Sequence, residues 1–351
     1  MGIDAAREDV PSRKKLFYPI GEPLRKYLRQ WDREILLPLN YTDLLHFNFS
    51  VPLLDKHNRD TLWQTVQYEQ NELNELYPAL KYIYALLHAD GRMEVMEHLS
   101  VARIDYCTFG NSKPFRIRII NRLNDNYDHF YIKYADASRV FGLELEHILS
   151  PNRINYVTDR ETLIEEHIPG LPGDVFIDQY LHGSKFDETR ISKEFVKFNE
   201  RCFVRLLGDM RSYNFVVDIT PDIEGNQYRI RSIDFDQQSY EGRKSLYLPQ
   251  FFRENRNLVF LCMQHLNEKT ISQYQQEERS LIAHRVKLGT YRLDALFEAM
   301  KDADIAPAEK IRLLGAQLAA HHEDDEFGKL DTMPRIVQKH LYACLKRLVG
   351  E

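Results

Sequence analysis

Three short runs between Val101 and Tyr134 constrain the fold more than any other part of this chain. Val101-Ala102-Arg103-Ile104-Asp105-Tyr106 alternates in polarity. Phe115-Arg116-Ile117-Arg118-Ile119-Ile120 is a β-branched run that alternates with arginine, and His129-Phe130-Tyr131-Ile132-Lys133-Tyr134 repeats the pattern. A period of two fits half-buried strands, because successive side chains point to opposite faces. The intervening stretches, Phe109-Gly110-Asn111-Ser112-Lys113-Pro114 and Asn124-Asp125-Asn126-Tyr127-Asp128, are rich in turn formers. Strands joined by tight turns run antiparallel, so the region reads as a meander. A helical pattern follows at about residues 137–149 and is stopped by Pro151, and two more strand runs come at 154–157 and 162–167. The order is three strands, one helix, two strands.

The flanking regions read as helical. From Asp60 to His88, Leu62, Trp63, Val66, Leu73, Leu76, Leu80, Ile83, Tyr84 and Leu87 fall at helical spacing, with Pro78 starting a second helix or kinking a long one. Residues 1–99 are therefore expected to form an N-terminal helical extension, able to serve a protein partner. Downstream, helices are expected near 174–181 and 192–207, strands at 215–217 and 228–233, and amphipathic helices beyond 248. A chain of 351 residues suits two or three lobes. The sum is an α+β protein: an extension over 1–99, a sheet-rich lobe over 100–170 and a mainly helical lobe over 171–351.

Several classes are excluded on composition. A net charge of -6 argues against a dedicated nucleic-acid binder. No apolar run reaches the length of a membrane span, and the first residues lack a signal peptide's apolar core. Cys107, Cys202, Cys262 and Cys344 show no paired spacing, which fits reduced thiols in a cytoplasmic protein. His321-His322 beside Glu323, Asp324 and Asp325 reads as a solvated helix end, since adjacent helical side chains diverge by about 100°. Arg103, Arg116 and Arg118 are expected to face solvent.

The stretch that carries chemistry is Gly208-Asp209-Met210-Arg211-Ser212-Tyr213-Asn214, followed by Asp234-Phe235-Asp236. An Asp and an Asn five positions apart, between a helix and a strand, can aim two oxygen-bearing side chains at one point. Asp234, on a turn after the next strand, supplies another oxygen. Phosphoryl transfer uses such a set: a carboxylate beside the attacking hydroxyl and oxygen ligands for Mg²⁺ on nucleotide phosphates.

Joined to the strand order, these motifs resemble the protein-kinase-like fold over roughly residues 100–350, with a five-stranded antiparallel lobe carrying one helix and a helical lobe. Within it the chain looks most like the aminoglycoside- and choline-kinase branch, or an atypical lipid-kinase relative. Gly208-Asp209 stands where protein kinases have His-Arg-Asp, an acidic residue follows Asp234-Phe235, and no Ala-Pro-Glu follows.

The resemblance implies an ATP-dependent phosphotransferase that uses Mg²⁺ and has an unidentified acceptor, with a small molecule preferred to a protein. Asp209 would be the catalytic carboxylate, Asn214 and Asp234 the metal ligands, and Asp236 either a further metal contact or a solvent-facing residue. Lys133 would hold the α- and β-phosphates. Its acidic partner is expected on the following helix, where Glu144 shares a face with Phe141, Leu145 and Ile148 while Glu146 lies further around. Backbone groups of Glu166, His167 or Ile168 would read the adenine edge. The Gly-rich loop is replaced by Cys107-Thr108-Phe109-Gly110-Asn111-Ser112-Lys113, where Ser112 and Lys113 could hold phosphate. One glycine in that loop leaves two alternatives open: AMP transfer on the same fold, or a catalytically silent pseudokinase acting as a nucleotide-binding or scaffold module.

Overall fold

The structure is a computed structural model that describes residues 15–55, 57–89, 91–109, 111–181, 186–223 and 225–349. Gly110, the single glycine of the predicted phosphate loop, lies outside the described residues. The chain is α+β and divides into two units. Of the described residues, the first comprises those within 19–137 and 154–167, and the second those within 15–18, 138–153 and 168–349. No described helix is long and apolar enough to cross a membrane.

The first unit is built on one antiparallel sheet of seven strands. Its strands are β1 (Phe49–Leu54), β2 (Asp60–Gln67), β3 (Leu99–Cys107), β4 (Phe115–Asn121), β5 (Tyr127–Tyr134), β6 (Tyr156–Asp159) and β7 (Thr162–Glu166), in the order β1-β2-β3-β4-β5-β7-β6. The predicted meander is β3–β5, and β7 and β6 continue it. β4 shows the expected alternation, with Phe115, Ile117 and Ile119 buried and Arg116 and Arg118 on the other face. Helix α1 is Glu22–Gln30, and α2 is Gln70–Ala89. α2 lays Leu76, Leu80, Ile83 and Leu87 in one apolar cluster with Ile104, Ile117, Phe130, Ile132 and Ile164. Each such side chain contributes on the order of 1.5–3 kcal/mol by leaving water.

The helical reading of residues 60–88 is corrected by β1 and β2. Residues 60–67 form a strand, and α2 begins only at Gln70, running through Pro78 as a single helix. Two features hid the strand. Only Val66 of β2 is buried, so the apolar signal is thin. Leu62 adopts φ 64°, which breaks the regular alternation. The sheet therefore has seven strands instead of five, and residues 19–99 are part of this unit instead of a separate helical layer.

The second unit contains α3 (Ala137–Leu149, from Ser138 onward), α4 (Gly173–Val175), α5 (Glu188–Arg205), α6 (Arg256–His265), α7 (Glu268–Met300), α8 (Ala308–His322) and α9 (Met333–Val349). It also holds a small antiparallel sheet, in the order β10-β9-β8, of β8 (Leu171–Pro172), β9 (Phe215–Asp222) and β10 (Gly225–Ser232). α5 ends where Leu206 turns left-handed at φ 52°. That turn sends the chain into the Gly208–Asn214 loop, and β9 begins at the next residue.

Candidate active site

α3 is buried on almost every side, as a helix enclosed by protein must be. Three ionisable residues on it are nevertheless nearly inaccessible: Arg139, Glu144 and Glu146. Burying a charge is tolerable only when it is paired and hydrogen-bonded. Each has a partner inside the second unit. Arg139 donates to Asp236 through Nε and to Asp234 through a terminal nitrogen, both at 2.7 Å. Glu144 accepts a forked pair from Arg292 at 2.8–3.1 Å. Glu146 pairs with Arg205. The Ser138 hydroxyl donates to the Gln238 carbonyl at 2.6 Å, and Gly142 lies against the Gln238 side chain, where an added Cβ would meet it at 3.0 Å.

Lys133 and Glu144, which were expected to pair, each have a partner inside their own unit. Lys133 is 7% exposed and donates to Glu165 at 2.5 Å. The β5–β7 register explains the choice: Lys133 lies opposite Leu163, so Glu165 is its diagonal neighbour on the same face. Helical periodicity placed Glu144 on a plausible face but could not see Arg292, 148 positions away.

The Gly208–Asn214 loop is held by backbone bonds to residues well downstream. The Gly208 amide donates to the Gln237 carbonyl and the Asp209 amide to the Leu246 carbonyl, each at 3.2 Å. The Asn255 side-chain amide donates to the Met210 carbonyl at 2.9 Å. Asp209 sits at φ 55°, in the left-handed region where Asp is tolerated more than most residues. Asn214 is buried, and its side-chain amide donates to the Asp209 carbonyl at 2.7 Å, which leaves the amide oxygen directed elsewhere. The Ile233 amide donates to the Asn214 carbonyl at 3.0 Å, extending the β9–β10 ladder that pairs Phe215 with Ser232. The two ends of one hairpin thus bring Asn214 and Asp234 together.

Asp209 shares the field of this site. Burial, with Asp234 and Glu241 adding to it, pushes its carboxyl up to about 7 even though Arg211 pairs with it at 2.9 Å. Arg211 also reaches Glu254 at 3.0 Å. A carboxyl that titrates near neutrality can both accept and return a proton. The oxygens of Asn214 and Asp234 are hard donors of the kind Mg²⁺ takes, so the residues fit that ion, although Arg139 already supplies positive charge to Asp234.

The loop also rests on Gly173. A Cβ there would lie 2.4 Å from the Ser212 carbonyl and 2.3 Å from the Phe215 ring, on either side of Asn214 in the chain. Gly173→Ala is expected to cost roughly 3 kcal/mol, the upper end for overpacking, seen as a melting temperature lower by several degrees.

Other predicted positions fare differently. Glu166 closes β7 and directs both its groups at Asn155: its amide donates to the Asn155 carbonyl at 3.0 Å, and its carboxylate accepts from the Asn155 amide at 2.8 Å. Its N–H is thus engaged within the sheet-bearing unit and would not be the group that reads an adenine edge. Ile168 is buried beyond the end of that strand. Ser112 and Lys113 lie in the β3–β4 turn, where the Lys113 carbonyl accepts the Tyr41 hydroxyl at 2.9 Å. A cavity of about 650 Å³ in the second unit is lined by Leu171, Tyr180, Phe186, Val217, Asp218 and Tyr228, and none of the predicted residues borders it.

Sequence reasoning missed Arg139, Arg211 and Glu254. The available signal was Arg139 itself: a cation in a helix with many apolar residues, whose i+3 and i+4 neighbours, Gly142 and Leu143, offer no countercharge.

The solvated reading of His321-His322 also changes. His322 Nε2 meets His340 Nδ1 at 2.9 Å, and His340 Nε2 meets the Phe203 carbonyl at 2.9 Å. Burial holds both rings neutral, lowering His322 to about 4 and His340 to about 3. Cys344 Sγ completes a trio close enough to suggest a metal. It lies 3.6 Å from His340 Nε2 and 3.9 Å from Nδ1, so it sits over the ring instead of along the Nδ1 lone pair. Both in-plane nitrogens are already hydrogen-bonded. The trio ties α9 to α8 and α5 and is not built as a metal centre.

No protein-family model matches this chain, and no curated protein matches it.

Proposed function

We propose that the protein is a kinase-like, ATP-dependent phosphotransferase whose chemistry is centred on Asp209, Asn214 and Asp234. One observation carries this reading: a tethered loop and the ends of one hairpin bring these three oxygen-bearing side chains into a single electrostatic neighbourhood, with the Asp209 carboxyl lifted to about 7 by burial and by Asp234. The strand order of the first unit, with the helix-bearing connection between β5 and β6, supports a protein-kinase-like arrangement.

In this reading Asp209 aligns the acceptor hydroxyl and takes its proton as the oxygen bonds to the γ-phosphorus and the bond to the β-phosphate oxygen breaks. Asn214, through its amide oxygen, and Asp234 would hold Mg²⁺, which when bound supplies positive charge to the phosphates. Arg211 keeps Asp209 oriented by its ion pair at 2.9 Å. The proposed chemistry does not depend on the expected lysine clamp; the acidic partner of Lys133 is Glu165, and Glu144 pairs with Arg292.

A second reading draws on a specific observation. Arg139 holds both Asp234 and Asp236, the carboxylates that would otherwise meet a metal, and this is what a silent binding module would tolerate. Thermal unfolding with Mg²⁺ and ATP, followed by assay of γ-phosphate consumption, decides between the two. Ligand at a hundred times its dissociation constant stabilises by about 2.7 kcal/mol. Asp234→Asn is expected to abolish the Mg²⁺-dependent part of that shift. Stabilisation without turnover of any acceptor pool favours the silent module, and no stabilisation at all removes the nucleotide reading.

A further inference from the structure

One face of the seven-stranded sheet carries more positive charge than the described residues neutralise. Opposite the apolar core, β4 presents Arg116 and Arg118. The register sets Arg103 of β3 across from Arg118 and Asp105 across from Arg116, with His129 and Tyr131 next to them on β5. Asp105 is fully buried and saturated: it accepts from the Thr65 hydroxyl at 2.9 Å and from Arg116 at 2.8 and 3.2 Å, and it pairs with Arg103 at 2.8 Å. Its one negative charge is therefore shared by two of the three arginines.

Arg118 reaches no carboxylate among the described residues. Its guanidinium carbon lies 3.8 Å from the centre of the Tyr127 ring, and its Nε is buried without an acceptor. His129 beside it gives no relief: burial, with Arg116 and Arg118 adding to it, lowers the ring to about 4 and keeps it neutral. Like charges directly opposite across a strand pair destabilise a sheet, and an orphaned buried donor costs more. Aromatic faces fix the guanidinium groups in place, with Arg116 stacked on Trp63 at 4.4 Å as well as Arg118 on Tyr127.

We propose that Arg103 and Arg118 form a binding site for a phosphate-bearing anion on this face. Planar, permanently charged forks match phosphate oxygens in bidentate fashion, and these two are held in place, Arg118 by the Tyr127 ring and Arg103 by its ion pair with Asp105. The chemistry is common to free polyphosphate and to the phosphate chain of a nucleotide. It uses none of Asp209, Asn214 and Asp234, so its failure leaves the proposed function standing, and the reverse also holds.

The test is calorimetric titration of the whole chain with inorganic tripolyphosphate, in EDTA at low ionic strength. Wild type is expected to bind, with Arg118→Gln and Arg103→Gln each weakening affinity about tenfold or more, and Asp234→Asn leaving it unchanged. ATP in EDTA separates the two sources: binding tighter than tripolyphosphate and weakened by Arg118→Gln assigns the site to a nucleotide, and any other outcome for ATP assigns it to phosphate alone. Without anion, Arg118→Gln is expected to melt no lower than wild type, because it removes an uncompensated charge. Absence of tripolyphosphate binding, binding indifferent to both arginine variants, or an Arg118→Gln protein that fails to fold each overturns the proposal.

Discussion

Asp209→Asn is expected to lower phosphoryl transfer by about 10²–10⁴-fold, the range for loss of a positioned general base, while leaving nucleotide-linked stabilisation in place. The amide keeps the size of the side chain and a contact to Arg211, so the loop and its bonds to Leu246 and Asn214 persist. The pH dependence gives an independent check with a definite sign. Asp209 carries a carboxyl raised to about 7 in the folded chain from an ordinary value of 3.8. Between those values the folded state binds more protons than the unfolded one, so this group's contribution to stability is full below about pH 4 and is lost as pH rises through about 7. The Asn variant cannot ionise. Its stability advantage over wild type is therefore expected to grow from about pH 4 to 7 and then level off. In the wild type, kcat/KM should rise with pH as Asp209 ionises, because only the ionised form accepts a proton. Turnover by Asp209→Asn at the wild-type rate would remove Asp209 from the chemistry.

Arg139→Met is expected to be among the most destabilising single changes outside the apolar core. It keeps most of the apolar bulk but strips the shared cation from Asp234 and Asp236. Removing one partner of a buried pair costs about 3–5 kcal/mol because the remaining charge stays desolvated. The lower end applies here, since the Asp234 side chain is 33% exposed and water screens it in part. Urea unfolding measures the loss, and adding Asp236→Asn to Arg139→Met should recover part of it. A second consequence concerns the proposed metal site: with the guanidinium gone, Mn²⁺ followed by electron paramagnetic resonance should bind several-fold more tightly. An Arg139→Met protein of wild-type stability and unchanged Mn²⁺ affinity would show that the pair is incidental.

Parts of this molecule were legible because they depend on neighbours in the chain. β3, β4 and β5 declared themselves through alternation and turn residues. The helix at 137–149 was visible from its apolar spacing and Pro151, and the separate hairpin β9–β10 followed from short apolar runs around a turn. β2 was missed for a local reason as well: with one buried residue and a left-handed Leu62, it offers a window in which helical spacing fits equally well.

What the sequence settled by itself is that Asp209 and Asn214 share one short loop and that Asp234 follows the hairpin which starts there. A helix end, a short loop and one antiparallel hairpin leave the chain few ways to separate them. What only the tertiary structure decided is which cation meets each buried carboxylate. Glu144 found Arg292, Glu146 found Arg205, Asp234 and Asp236 found Arg139, and Lys133 found Glu165 across a strand register. Desolvation requires that every buried charge be paired. It does not say with whom, because Coulomb attraction has no sequence range and the choice falls to whichever opposite charge the packed backbone carries within reach.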